Sequence, residues 1–445
     1  MATVRVDAQQ SEILEHEGKI LSKEEAVFIE IQGLHEKSRT VAPTNKRDRI
    51  NRLSAAERDS NAASYTPKIV AIGPYQNKNP PKAGEDIKHH FVQLVLGQKL
   101  NEQKQNIIKE MSSLIEKARE CYEESTEAIS DYKFLKMMLF DSCFIVEIIR
   151  RFYGEEEVHD DDPMFIYEGS LSTIWRDLVL FDNQLPFFVL QRYYDLTLRP
   201  QSGRETKSGT LSFCKMALPF IVYPIGGPYC RLPGEDNHKP KHLLGLLYDC
   251  LGPIPVRWST FGLSNQVMGH SHLFPRGGSL RILLMVLFPP CLIFLIFKTL
   301  LFSFCRSYSP SGNQLMPIRC STRLLEKGVK FRKRGENWTS LFDVVFEDGT
   351  LTMPTLTISD NTNSVILNLL AYERYSQPGD RKYVADYMVL MDCLIDSPDD
   401  VKILCNHGIL EVSSGDSDKI TKLFDRPKDD FIIVDPYNFI YRETF

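Results

Sequence analysis

Four acidic residues sit in places where a carboxylate is costly. Asp141 and Glu147 interrupt the run Phe134 to Ile149, which is otherwise apolar on nearly every side. Asp177 and Asp182 bracket Leu178-Val179-Leu180-Phe181. Burial among apolar groups raises a carboxyl pKa toward the range used in general acid–base catalysis. Burial is also met by a carboxylate that caps a helix or accepts backbone N–H groups, and structural usage favours that reading. Asp141, Glu147, Asp177 and Asp182 are therefore read as structural anchors. Asn183, Gln184 and Pro186, in the polar break Asp182-Asn183-Gln184-Leu185-Pro186, are read with them. Pro186 suits the first turn of a second helix, and Asp182 or Asn183 is placed to cap that turn.

Other chemical constellations are weaker. Cys230, His238, His242 and Cys250 form C-x7-H-x3-H-x7-C, a donor set suited to tetrahedral zinc. The spacing fits no familiar zinc module, Pro240 interrupts the His pair, and His242 to Cys250 also reads as an apolar helix. No metal and no cofactor is assigned. No Ser or Cys lies in a nucleophile elbow, and no Gly-rich phosphate loop is present, so no catalytic residue is named. Lys330-Phe331-Arg332-Lys333-Arg334 is read as a solvated basic loop rather than a nuclear signal or lipid contact. Asn337-Trp338-Thr339 is a glycosylation sequon.

The elements that must position these residues are mostly helical. Phe91, Leu94 and Val95 begin a spacing of three and four that predicts helix over 87–120. Residues 134–149 predict a helix buried all round. Residues 177–190 predict helix, break, helix. Tyr65 to Tyr75 is a short apolar run ended by a turn at Gly73-Pro74. Strand-like spacing appears only near 341–358. The fold class is mainly α: one large helical domain with a small β element, interrupted by an apolar insertion.

Composition bounds the function. The chain has 445 residues, 43% hydrophobic and 25% charged, which is ordinary globular usage and excludes a disordered or collagenous chain. Ten cysteines are too sparse for a disulfide scaffold. Cys143, Cys250 and Cys393, in apolar helical runs, read as reduced core residues. A net charge of -5 provides no overall basic field for nucleic acid. Residues 1–64 are charged and carry no signal-peptide pattern. They read as a mobile region with one docking helix near Ala26 to Ile31.

The middle of the chain is unusual. Positions 250–325 hold no Asp or Glu, where the chain's overall usage would place about ten. Within that window, Ile282 to Phe297 carries no charge, and beyond Lys298 the apolar run continues to Cys305. A membrane span needs about 20 apolar residues, so 282–305 is long enough if Lys298 snorkels. Pro289-Pro290 at its centre forces a kink. Residues 251–317 read as an insertion, either a real span or hairpin or a translated intron. Residues 426–445 form a C-terminal tail.

Several stretches together resemble the plant family called domain of unknown function 247. They are Tyr65 to Tyr75, Met137 to Glu147, Asp177 to Leu190 with its Asp182-Asn183-Gln184-Leu185-Pro186, and His242 to Cys250. Phe346-Glu347-Asp348-Gly349 with Leu356-Thr357-Ile358, Ala371-Tyr372-Glu373, and Tyr387 to Ile395 continue the order. The resemblance covers about 66–250 and 318–425, so 65–250 and 318–425 are assigned to one helical domain. It implies a plant protein, mostly helical, with no established activity. Many members carry a C-terminal apolar anchor, and some grass members are linked to pollen self-incompatibility, a recognition role. Here the tail Phe431 to Phe445 is too short and polar for such an anchor.

A single crossing at 282–305 would put the two domain halves on opposite sides of a bilayer and forbid a shared core. Arg306, Arg319 and Arg323 outweigh Arg276 and Arg281, which would place the C-terminal side in the cytoplasm. The expectation is a non-enzymatic recognition or membrane-associated protein with a cytoplasmic domain and an unknown protein partner. It is not secreted by a classical signal, binds no nucleic acid, and has a possible membrane contact through 282–305. The alternatives are a hydrolase or transferase using buried carboxylates, or a degenerate family copy.

Overall fold

The structure is a computed structural model. It describes residues 49–76, 79–97, 99–153, 170–198, 213–222, 224, 240–252, 320–335, 340–376, 382–412 and 417–424. Residues Met1–Ile254 and Ile318–Phe445 belong to one compact unit; the second, Pro255–Pro317, lies outside the described residues, as do the expected helix near 26–31, the sequon at 337–339 and the tail 426–445.

One helix organises the first half. It is α4, Asp131–Tyr153, and nearly every side chain from Phe134 to Arg151 is buried. A helix apolar all round has to be wrapped. The wrapping comes from α1 (Lys82–Gly97), α2 (Asn101–Ser112) and α3 (Ile115–Glu120), and from α5 (Ser170–Leu178), α6 (Phe187–Leu196) and α7 (Phe213–Val222). Short helices at Ala55–Ser60, Ala62–Tyr65 and Gly73–Gln76 precede them.

The continuous helix expected over 87–120 is instead α1, α2 and α3. A single helix of that length would run about 50 Å, past the end of α4 at about 35 Å. The chain breaks and restarts, with Gln103 Oε1 accepting from Leu100 N at 3.3 Å where α2 begins. Each piece then turns its own apolar face inward: Phe91 and Val95, Ile107 and Met111, Ile115 and Ala118.

The second half packs on the same core. Helices α8 (Leu243–Leu251), α9 (Thr362–Ser376), α10 (Tyr383–Leu394), α11 (Pro398–Asn406) and α12 (Ser417–Phe424) contribute Leu246, Tyr372, Met391, Leu404 and Phe424 to one continuous apolar cluster with Phe144 and Trp175. Arg176 of α5 donates from Nε to Ser364 Oγ of α9 at 3.1 Å.

Five short strands make the β element. β1 (Lys330–Lys333) runs parallel to β3 (Thr350–Met353), which pairs antiparallel with β2 (Val345–Glu347); β4 (Leu356–Ile358) runs parallel to β5 (Leu410–Val412). Asp348 and Gly349 join β2 to β3 with φ of 49° and 70°. Positive φ at both positions matches the twist of a tight hairpin. The basic run 330–334, expected as a loop, is instead mostly β1. Phe331 is buried while Lys330, Arg332 and Lys333 are exposed, so the central aromatic pins the strand to the core.

Among the described residues no helix is long and apolar enough to cross a membrane, and the segment 282–305 lies outside them. No disulfide forms among the described cysteines. Cys143 and Cys250 are buried and Cys393 is half-buried.

Candidate functional site

Asp177, at the end of α5, lies beside the irregular segment Lys68 to Gly73. Its Oδ2 accepts from Lys68 N at 2.9 Å, Ile69 N at 2.7 Å and Val70 N at 3.0 Å. Its Oδ1 accepts from Arg176 Nη1 at 2.7 Å. Asn183 continues the row: Oδ1 accepts from Ile72 N at 2.5 Å, and Nδ2 donates to Val70 O at 3.0 Å and Asp177 O at 2.8 Å. Asp141 of α4 closes it, accepting from Gly73 N at 2.8 Å.

The segment 68–72, with the first amide of the helix Gly73–Gln76, is thus irregular backbone with side chains in place of a neighbouring strand. Buried amides must find acceptors somewhere, and here three polar side chains supply them. The stretches Tyr65 to Tyr75, Met137 to Glu147 and Asp177 to Leu190 are therefore one hydrogen-bonded unit. The first supplies five backbone donors to acceptors on the other two, and Val70 O accepts one bond back from Asn183.

Charge is neutralised locally. Lys88 Nζ lies 2.7 Å from Asp141 Oδ1 and 2.7 Å from Glu85 Oε1, and donates to Ala71 O at 2.5 Å. Burial pushes the Asp141 carboxyl above its usual range, and Lys88 pulls it back. Burial would lower Lys88, yet the two carboxylates hold it above the ordinary lysine value. Asp182 accepts from Leu53 N at 2.9 Å and from the Arg58 guanidinium. Burial likewise raises Asp177 and Asp182, against their backbone donors and arginines.

Glu147 sits apart from this row. Its oxygens meet Arg150 Nη1 at 2.8 Å and Arg151 Nη1 at 3.2 Å. Arg150 also reaches Thr197 Oγ1 at 3.1 Å and covers the Tyr194 ring, while Arg151 covers Phe91. The trio ties α4 to α6 and α1.

Gln184 uses both ends. Nε2 donates to Leu178 O at 2.9 Å and Leu180 O at 2.7 Å, and Oε1 accepts from Leu244 N at 3.2 Å, in the first turn of α8. Capping of α6 by Asp182 or Asn183 does not occur. Those side chains are committed to Leu53 and Ile72, and Phe187 N donates instead to Lys241 O at 2.7 Å. Pro186 stands one residue earlier than expected, at the N-cap of α6 rather than inside its first turn.

Sequence reasoning missed other anchors. Asn368 of α9 accepts from Phe181 N at 2.7 Å and donates to Ser64 O at 3.0 Å. Glu373 accepts from Val384 N and Ala385 N, both at 3.0 Å, and from Tyr248 Oη at 2.8 Å. Burial raises the Glu373 carboxyl against those donors. Asp400 accepts from Thr322 N at 2.7 Å and Ser397 N at 2.9 Å. Glu373 belongs to the motif Ala371-Tyr372-Glu373; a polar residue at an otherwise apolar helical face is the signal that could have found it.

The zinc arrangement is not assembled among the described residues. His242 Nδ1 accepts from Gly245 N at 3.1 Å and caps α8, and burial lowers its pKa to about 3. Cys230 and His238 lie outside the described residues, which hold no group of metal-ligating side chains. A partly open cleft exists, lined mostly by apolar side chains such as Trp175, Leu251, Leu341 and Ile366, with Thr357, Ser359 and Thr362 among them, and none of the buried carboxylates lines it.

The family described as plant protein of unknown function, DUF247, matches residues 50–445. The chain belongs to this plant family. A UPF0481 protein of Arabidopsis thaliana is similar at 27% identity over 369 residues, covering 82% of this chain and 69% of that protein. A putative UPF0481 protein of the same plant is 23% identical over 396 residues, covering 79% of this chain and 72% of that one. No solved structure matches. The family match begins at Ile50, whose O accepts from Glu123 N at 3.1 Å.

Proposed function

We propose that this family member acts by recognition, without catalysis, through a helical scaffold that presents its surface to a protein partner. One observation carries the reading: the buried carboxylates that could have served acid–base chemistry are consumed by backbone amides and cations. A carboxylate enclosed by such donors has no free oxygen to offer a substrate proton, and a candidate base must reach that proton within about 3 Å. The lining of the cleft supports the same reading, since it places no carboxylate, histidine, cysteine or lysine beside the hydroxyls of Thr357, Ser359 and Thr362.

The test is a turnover screen of the full chain on ester, phosphoester, acyl and glycosyl donors, with Asp141→Asn and Asp182→Asn beside it. No turnover above buffer is expected in any of the three. Turnover that either substitution abolishes, in a variant whose circular dichroism matches the parent, overturns the proposal.

A further inference from the structure

Among the described residues β1 is an edge strand, hydrogen-bonded as a strand on one side alone. Lys330 N donates to Gly349 O at 2.8 Å and Arg334 N to Met353 O at 2.7 Å. In a parallel ladder alternate residues face the same neighbour, so the N–H and C=O groups of Phe331 and Lys333 point the other way. Among the described residues β1 has β3 as its single strand neighbour.

The charge along that edge itself is basic, while exposed Glu326 lies before it and exposed Glu347 stands two strands away in the row Lys330, Thr350, Glu347. Lys330 and Arg332 are exposed and register with Thr350 and Thr352 on the outer sheet face. Arg332 is bonded to Thr352 Oγ1 at 3.3 Å, and among the described residues neither cation forms an ion pair. Arg323 and Lys327, just before the strand, are exposed as well. Lys333 and Arg334 do have partners, Glu411 at 3.3 Å and Asp343 at 2.8 Å. Basic side chains on an edge deter pairing with another copy, because two such edges bring like charges together. The same charges complement an acidic strand.

We propose that β1 accepts an acidic, extended segment of a protein partner, added to the sheet as a further strand. The backbone groups of Phe331 and Lys333, which point away from β3, pair with its main chain, and Lys330 and Arg332 meet its carboxylates. This deepens the recognition reading and rests on it.

The probe is a fluorescein-labelled heptapeptide alternating Glu and Val, titrated with the full chain and followed by anisotropy. Saturable binding is expected, weakened about tenfold or more in the K330E/R332E variant, where two opposite charges become like charges. Both positions are exposed, and an unchanged melting curve checks that the variant folds. A peptide N-methylated at alternate valines keeps its charge but loses the ladder donors, and should bind about tenfold more weakly or worse.

Equal binding of the N-methylated peptide reduces the edge to a charge patch and overturns the proposal. So does equal binding of a Lys/Val peptide, absence of saturation at about 1 mM chain, or binding to phosphatidylserine vesicles with none to the peptide. Because the substrate screen is separate, a silent peptide beside a silent screen sinks this surface alone. Turnover that Asp141→Asn or Asp182→Asn abolishes sinks the recognition reading whatever the peptide does.

Discussion

Arg176 donates from Nε to Ser364 Oγ at 3.1 Å, a bond between residues 188 positions apart. Ser364 Oγ passes the interaction on to Ser64 O at 2.6 Å, so three distant stretches meet at one hydroxyl. The guanidinium also reaches Thr66 O at 2.8 Å and Asp177 Oδ1 at 2.7 Å. A core closed in this way should not need the chain between its halves.

Replacing Pro255–Pro317 with a flexible Gly/Ser linker of about 20 residues should therefore leave folding intact. Shortening the loop changes its closure entropy by only about 1 kcal/mol, in the stabilising direction. One cooperative thermal transition within a few degrees of the parent is expected. A variant that melts without cooperativity would show that the core depends on the removed segment.

Asp177→Asn should be among the most damaging single changes in the chain. The substitution turns one acceptor oxygen into an NH2 group facing N–H donors, and leaves the buried Arg176 without its counter-charge. Breaking a buried pair in this way costs about 3–5 kcal/mol. Asp182→Asn should cost less, about 1–2 kcal/mol, because Asp182 accepts one amide and its arginine, Arg58, is partly in solvent. Urea denaturation of both variants checks the order, and a reversed order argues against Asp177 as the central acceptor.

The burial of α4 is legible in the sequence, because the helix lacks a polar face, and Asp141 and Glu147 can stand inside it only with partners. What those partners are is not legible. Asp182 and Asn183 look like local caps in sequence, since the nearest helix start is Phe187; the geometry sends them instead to amides more than a hundred positions earlier. Spacing reports neighbours along a helix and carries no information about distant backbone. The basic run at 330–334 hides its strand for a related reason. Its one buried side chain, Phe331, lies too close to four cations for alternation to stand out. Lys88 is invisible too, because a lysine on an amphipathic helix looks exposed until two carboxylates are found around it.

Two glycines mark where the segment 68–73 is clamped. Gly73 has φ of +71°, and a Cβ there would stand 2.5 Å from Gln184 O; at Gly84 a Cβ would stand 2.1 Å from Ile69 O. Both obstructions are backbone, which cannot swing aside. Gly73→Ala combines a left-handed residue penalty of about 1–2 kcal/mol with that clash, so a total above about 3 kcal/mol is expected. Gly84→Ala carries the clash alone, on a helix where Ala would otherwise gain about 1 kcal/mol. Thermal melts should place both well below the parent. A neutral or stabilised Gly84→Ala would mean that α1 does not sit this close to Ile69.

His242 gives the fold a pH dependence of predictable sign. Its ring is buried and neutral, accepts from Gly245 N at Nδ1, and packs edge-on against Tyr372 at 5.3 Å. Burial, with a smaller push from Lys241, lowers its pKa from 6.5 to about 3. Between those values the unfolded chain binds the proton and the folded chain does not, so stability falls as pH drops below about 6.5. At pH 5 the loss from this one group is about 2 kcal/mol. The buried carboxyls of Asp141, Asp177, Asp182 and Glu373 titrate in the opposite sense. Their folded pKa values are raised, so acidification through those values restores stability. The histidine's share is isolated by comparison with His242→Asn, which can still cap Gly245. Stability of the parent relative to this variant should decline by about 2 kcal/mol from pH 7 to pH 5 in urea titrations. A difference that stays flat over that range means that His242 is protonated in the fold, and that Gly245 N is capped by something else.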